Sequence, residues 1–331
     1  MRRASQATLV LGLAGIVVAW LSLGAETSRS ADPLAPVVGR MDPTLGAAIE
    51  AAEVGGGVSA QTIFGDDDRT LVTDTTRWPF RTVVQVVLFD ADAEPVGTCS
   101  GILLSPDAVL TAAHCVWDDE AEDFFAGFLV IPGFDGTNSP FGRGVAVDSI
   151  MIPQGWLGAD GRPYDFAIMR TAKPFPAEVG PFVSLTWVPD GFYADTNYLL
   201  MTAGYPGDKP FGTQWSIVGP AETVSATFFS TTIDAVAGQS GSPLFLINQE
   251  RTQFAVVGVV TLSGERANRA VRMHKSHIAA AVDYCGSLGC TLKTADLEAS
   301  PPPTPTATAT PTRTPAATPG IRARVPAVGR D

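Results

Sequence analysis

The sequence predicts an all-β protein divided into two halves, with a short helix closing the second half. Three observations carry that prediction. Short runs rich in Val, Ile, Phe and Tyr recur along residues 83–262: "TVVQVVLFD", "SGILLS", "AVLTAAH", "DFAIMR", "NYLLMTAG", "QWSIVG", "ATFFSTTI" and "FAVVGVVTL". Turn signals such as "SPDA", "DGRP" and "YPGD" punctuate them, within a chain holding 33 glycines and 26 prolines. Only "KSHIAAAVDY" shows a 3.6-residue apolar period, which places one helix near the end. Short, closely spaced strands in this number favour closed barrels or a sandwich. The two halves divide near Pro174–Pro181.

The ends of the chain differ from this middle. Arg2 and Arg3 precede the apolar run "ATLVLGLAGIVVAWLSLGA", which gives way to polar "ETSRS", so residues 1–25 read as a signal peptide with small residues Ser22, Gly24 and Ala25 at the cut. Left uncleaved, a run of that length would serve as an anchor, the one route to membrane association. Residues 26–60 read as a Gly-rich, weakly structured pro-segment or spacer with one helical stretch, "PTLGAAIEAAEV". Residues 299–331, including "SPPPTPTATATPTRTPAATPG", form a Pro/Thr-rich tail unable to pack a core.

Composition narrows the function. Of the 331 residues, 45% are hydrophobic and 17% charged, which suits a folded chain. The formal net charge of −12, with no Lys/Arg cluster in the folded region, argues against nucleic-acid binding and for a soluble extracellular protein. Four cysteines in an exported chain imply two disulfides, with three connectivities open. Cys285 and Cys290 in "CGSLGC" suit a local loop, which leaves Cys99 with Cys115 across a hairpin-like unit. A zinc site competes weakly, because no C-x-x-C pair is present and there are three histidines. The acidic run "WDDEAED" reads as a solvated loop, since its spacing fits no defined calcium loop.

Three motifs carry chemistry, in the order His, Asp, Ser. In "LTAAHC" an apolar strand runs into His114. In "YDFAIMR" Asp165 opens an apolar strand, where burial suits a carboxylate that orients a histidine. In "GQSGSP" glycines flank Ser240 and let backbone N–H groups face a substrate. Singly, these are a structural histidine, a turn aspartate and a Gly/Ser loop; together they outline a nucleophilic triad. An α/β-hydrolase is the rival fold, but it needs G-x-S-x-G and a histidine after the nucleophile, and Ser242 stands where the second glycine would be.

With these motifs the chain resembles the trypsin-like serine proteases, and within them the V8-like (glutamyl endopeptidase) branch. "IFGDDDRTLVTDTTRWPFRTVVQV" resembles the opening of that branch's mature domain, "GYPGDKPFGTQW" its second-barrel turn, "GQSGSP" its nucleophile motif and "ANRAVRM" the strand before its terminal helix. The resemblance covers residues 62–284. It implies two perpendicular antiparallel β-barrels, residues 61–177 carrying His114 and Asp165 and residues 178–298 carrying Ser240 and the C-terminal helix. It implies His114 as general base, Asp165 as its orienting acid, Ser240 as nucleophile, and the Gly238 and Ser240 amides as oxyanion hole. A secreted, monomeric endopeptidase made as a zymogen follows, acting on polypeptides without metal or organic cofactor. His274 and His277 are expected at the surface.

The sequence departs from the family at three places. Gln239 stands where pancreatic-type trypsins carry an aspartate that pairs with a freed N-terminus, so that activation switch is not expected. "GVVTLSG" puts Val260, followed by Thr261, where glutamate-specific members carry a histidine in "GVHT"; a valine donates no hydrogen bond to a P1 carboxylate. Asp234 lies six residues before Ser240, the spacing of the trypsin S1 acid, and is read as structural, with a role in Arg/Lys specificity as the alternative. The rival function is a non-catalytic surface or binding protein that keeps the fold.

Overall fold

The computed structural model describes residues 32–52, 66–220, 222–231, 233–262 and 268–296. The signal-like run and the Pro/Thr-rich tail lie outside the described residues. Among the described residues no helix is long and apolar enough to cross a membrane.

Six strands close the first barrel. Val83–Phe89, the run "VVQVVLF", is buried along its whole length and pairs antiparallel with Pro95–Leu103 on one side and Gly127–Pro132 on the other. β-Branched and aromatic side chains fill such a strand from both faces. Ala108–Thr111 continues the sheet to Ala167–Thr171 and Val145–Pro153. The ring closes where Leu129 and Val130 pair with Ala146 and Val145.

Residues 32–52 are more ordered than the sequence suggested. Pro36–Arg40 pairs in register with Ser149–Pro153, extending the barrel sheet by one strand. Helix Pro43–Ala51 follows, with Asp42 capping the Thr44 N–H and proline in its first turn. It lays Ile49, 1% exposed, onto the barrel. Glu50 accepts from the Ala146 N–H and pairs with Lys173. An unpaired edge strand and an apolar stripe on the helix explain the order: both are satisfied only against the barrel.

The second sheet is curled rather than ringed among the described residues. Its order runs Thr223–Val224, Phe228–Thr231, Asn268–Arg272, Phe254–Leu262, Pro243–Asn248, Tyr198–Gly204, Trp215–Gly219, Thr70–Leu71. Leu185–Trp187 lies parallel to Phe254–Leu262 and to Thr294–Asp296, an exception to the antiparallel pattern. Thr70–Leu71 belongs to this sheet, pairing with Trp215 and Ser216, although it precedes the first barrel in the chain. The architecture is the trypsin-like double barrel.

Helix Lys275–Leu288 ends at Gly289, whose φ of +84° is the left-handed conformation a helix stop requires. Cys285 and Cys290 join across that stop. The helix packs back on the first barrel: Tyr284 stacks on Phe166, and its hydroxyl donates to the Leu34 carbonyl at 2.6 Å.

Candidate functional site

The strand Ala108–Thr111 ends in the 3-10 turn Ala113–Cys115, which presents His114. Cys115 is bonded to Cys99 on the neighbouring strand, with a Cα–Cα distance of 6.1 Å. Asp165 follows the 3-10 turn Arg162–Tyr164 and precedes the buried Phe166. Both of its oxygens serve His114: Oδ2 lies 2.8 Å from Nδ1, and Oδ1 accepts the His114 backbone N–H at 3.0 Å. The Asp165 side chain is 2% exposed and that of His114 31%. A carboxylate at Nδ1 places the ring proton there and leaves the lone pair on Nε2, which stands 3.9 Å from Cys115 Sγ. Burial alone would lower the His114 pKa; the charge and hydrogen bond of Asp165, helped by Asp119, outweigh it and hold the imidazole above its usual range.

The Ser240 loop is tied to this wall through Ser100, the neighbour of Cys99. The Ser100 N–H donates to the Ser240 carbonyl at 2.8 Å. The Ser100 hydroxyl donates to the Gly238 carbonyl at 2.8 Å and accepts the Tyr205 N–H at 2.9 Å. Gly241, at φ +82°, lies so close to Ser100 and Thr111 that a β-carbon would run into the Ser100 carbonyl and the Thr111 hydroxyl. Gly238, at φ +94°, backs onto the Tyr205 carbonyl, where a β-carbon would stand 2.6 Å away. The two serines of this loop differ sharply. Ser240 is half-buried, whereas Ser242 has no exposure. Among the described residues Ser240 Oγ and His114 Nε2 share no hydrogen bond.

The backbone amides of the loop fall into two sets. Those of Gln239, Gly241 and Ser242 donate to Val236, Val260 and Gln239 carbonyls. Those of Gly238 and Ser240 donate to no acceptor among the described residues. These are two unspent donors with one residue between them, the second the amide of half-buried Ser240 itself, an arrangement of the kind that can accept an anionic oxygen.

Asp234, Val260 and Thr261 are all buried close behind the loop. Val260 is tied to it directly, donating to the Ser242 carbonyl and accepting from Gly241. Asn268, on the strand paired with Phe254–Leu262, donates to the Ile233 carbonyl on one side of Asp234 at 2.9 Å. Its Oδ1 and the Thr261 hydroxyl are buried without a partner among the described residues, which leaves this region polar. Sequence reasoning missed Asn268, which stood in "ANRAVRM" as one more strand residue.

Trp156 was missed as well. It stands 6.4 Å from the His114 ring, centroid to centroid, and lines a cavity with Trp117, Asp119, Glu122 and Arg162. The acidic run forms a small exposed hairpin, Trp117–Asp118 with Asp123–Phe124, its turn capped by Asp118. His277 corrects an expectation. It is buried, not at the surface, with Nδ1 3.0 Å from the Arg272 carbonyl and its ring against Phe166 and Tyr164. Helix periodicity turns it inward, and burial pushes its pKa down. His274 is exposed as expected. Cys99, His114 and Cys115 bring potential ligand atoms within 4.8 Å of one another, but both sulfurs are spent in the disulfide and offer no thiolate.

A sequence profile of the family described as Trypsin matches residues 73–282. The chain belongs to the trypsin family. Among the proteins it is similar to, the Glutamyl endopeptidase of Bacillus licheniformis is 33% identical over 227 residues, 66% of this chain and 67% of the relative. The Extracellular metalloprotease of Bacillus subtilis is 27% identical over 213 residues, 64% of this chain and 66% of the relative. The chain thus spans about two thirds of the length of these two relatives. A solved structure of Glu endopeptidase in complex with MPD superposes with a TM-score of 0.59 and 25% identity, covering 68% of this chain and all of that one. This trypsin-family chain is a V8-like protease by sequence and fold, and a hydrolase by class.

Proposed function

We propose that this chain is a secreted serine endopeptidase that cleaves polypeptides through an acyl-enzyme. Ser240 Oγ attacks the scissile carbonyl as His114 Nε2 takes its proton. The C–N bond then breaks, and His114 returns that proton to the leaving amine. Water, deprotonated by the same Nε2, attacks the acyl carbon; the acyl–Oγ bond breaks, and Ser240 Oγ takes the proton back from Nε2 as the acid product leaves. Asp165 holds the Nδ1 proton in place and stabilises the imidazolium. The Gly238 and Ser240 amides receive the oxyanion in both halves, a contribution of about 3–4 kcal/mol per donor in such sites. No metal or organic cofactor enters these steps.

The observation that carries this reading is the pair of contacts from Asp165 to His114, at 2.8 and 3.0 Å, on the wall to which Ser100 ties the Ser240 loop. Secretion is supported by the signal-like residues 1–25 and by the printed name of the Bacillus subtilis relative. Residues 26–60 are assigned as the pro-segment, the monomer is the working form, and glutamate specificity is not assigned, because Val260 donates no hydrogen bond.

The experiment is turnover of an unstructured polypeptide by purified chain, alongside Ser240→Ala. Wild-type cleavage that the variant loses supports the proposal. A folded wild type that cleaves nothing leaves the binding-protein alternative standing. Sequencing the products gives the P1 residue, and cuts after Arg or Lys would assign Asp234 to specificity.

A further inference from the structure

We propose that Arg69 is a positioning residue for the serine loop: its guanidinium holds Gln239, the residue before Ser240, and keeps the Gly238 and Ser240 amides turned inward without a freed N-terminus. The inference rests on the peptidase reading for its catalytic consequence, though the anchoring itself is a matter of structure.

Gln239 is wholly buried, and its Oε1 accepts two hydrogen bonds. One comes from the Val236 N–H at 3.1 Å, the other from Arg69 Nη1 at 3.2 Å. The Gln239 N–H returns to the Val236 carbonyl at 2.9 Å. The loop is thus closed on itself twice by Gln239, and Arg69 is the outside group that grips the closing side chain.

Arg69 is itself fixed. Its side chain has no exposure and spends its forked donors on Asp67 and Asp208 as well as on Gln239. A guanidinium facing two carboxylates stays charged, and its pKa is raised despite the burial. Asp67 is held well below the usual carboxylate range by the hydrogen bond from Arg69. Asp208 belongs to the turn after Tyr205, and that turn touches the serine loop on its own account: the Gly207 N–H donates to the Ala237 carbonyl at 2.8 Å. The next residues after Arg69, Thr70–Leu71, are sheet-paired to Trp215 and Ser216. Two separate pieces of chain, Asp67–Arg69 and the Asp208 turn, are therefore joined to residues 236–240 through one side chain.

Elsewhere in the family an aspartate at the Gln239 position needs a cationic partner from a newly cut terminus. Glutamine accepts through a neutral amide, and an internal guanidinium supplies the donor. That donor is in place in the uncut chain, because residues 32–52 and 66–71 are both docked in the same structure.

The test uses the uncut full chain and two variants, Gln239→Met and Arg69→Lys. Gln239→Met removes the acceptor and leaves the Arg69 ion pairs intact; Arg69→Lys keeps the charge and loses the fork. Amide hydrogen exchange read by mass spectrometry is expected to show the Val236, Gln239, Gly241 and Ser242 amides protected in the wild type. In both variants their exchange should quicken about tenfold or more, while Val83–Phe89 is unchanged. On a peptide substrate kcat should fall about 10–100-fold with KM nearly constant, within the range that weakening an oxyanion donor produces. Wild-type exchange and kcat in both variants would overturn the proposal, as would a loop unprotected in the uncut wild type. A wild type that shows the expected exchange pattern and stays inactive after residues 26–60 are removed would overturn the peptidase reading and leave the anchoring in place.

Discussion

In the proposed site His114 and Ser240 stand on two walls built in different ways. The histidine wall is a closed barrel reinforced by a disulfide beside His114 and by a carboxylate with both oxygens committed to it. The serine wall is a loop on an open, curled sheet, shaped by positive-φ glycines and held by side chains from elsewhere: Ser100 and Arg69. The difference follows from what each wall offers a substrate. A histidine acts through one ring atom, so its backbone can be locked outright. An oxyanion cradle acts through backbone N–H groups, which must be left unspent while everything around them is satisfied.

The largest expected effect lies on the histidine wall. Asp165→Asn should keep the fold and lower kcat by about 10^4, because an amide at Nδ1 favours the wrong tautomer. Steady-state kinetics with circular dichroism check this, and a loss under tenfold would break the description of that wall. Next comes the Cys99–Cys115 disulfide. Its 16-residue separation corresponds to roughly 3 kcal/mol of stabilisation, so Cys99→Ala/Cys115→Ala should show that drop in urea denaturation. Activity measured well below the new transition should persist, since Asp165 still orients the ring. Ser100→Ala touches the other wall. Losing hydrogen bonds to Gly238 and Tyr205 should cost about 1–2 kcal/mol and reduce kcat more than KM changes. Equal activity of this variant and wild type would remove Ser100 from the account.

The smallest effects separate two histidines by pH. His114 must be neutral to act as a base, and its pKa is raised, so kcat/KM should climb with a midpoint above 6.5. Its contribution to stability is complete below 6.5 and is lost as pH rises through the folded value. His277, with its pKa lowered by burial, does the reverse: its contribution is present above 6.5 and is lost as pH falls through its folded value. Denaturation midpoints of wild type and His277→Phe across pH 5–8 should converge on the alkaline side and diverge on the acid side.

The double barrel and the three motif residues were legible because each has a local signature: an apolar strand running into His114, a buried strand opened by Asp165, glycines around Ser240. Among the strands not singled out are Gly127–Pro132, Val145–Pro153 and Pro243–Asn248. The first two are short or interrupted apolar runs, with Asp148 and Ser149 inside the second, and pairing makes them strands: with each other, the first with Val83–Phe89 and the second with Ala167–Thr171. Arg69 and Ser100 were invisible for a different reason. Each acts across more than a hundred residues of sequence, and neither an arginine in an acidic run nor a serine after a cysteine carries a periodicity or spacing that points to its partner. The order of residues 32–52 was hidden likewise, because the edge strand that receives them is itself set by the barrel.

The central claim is that Ser240, and not its neighbour Ser242, is the reactive group of a preformed site. Reacting the folded chain with a fluorophosphonate and locating the adduct by tandem mass spectrometry tests it directly. The account expects one adduct, on Ser240, with labelling preserved in Ser242→Ala. An adduct on Ser242, or an unlabelled Ser240 in a folded chain, would contradict it.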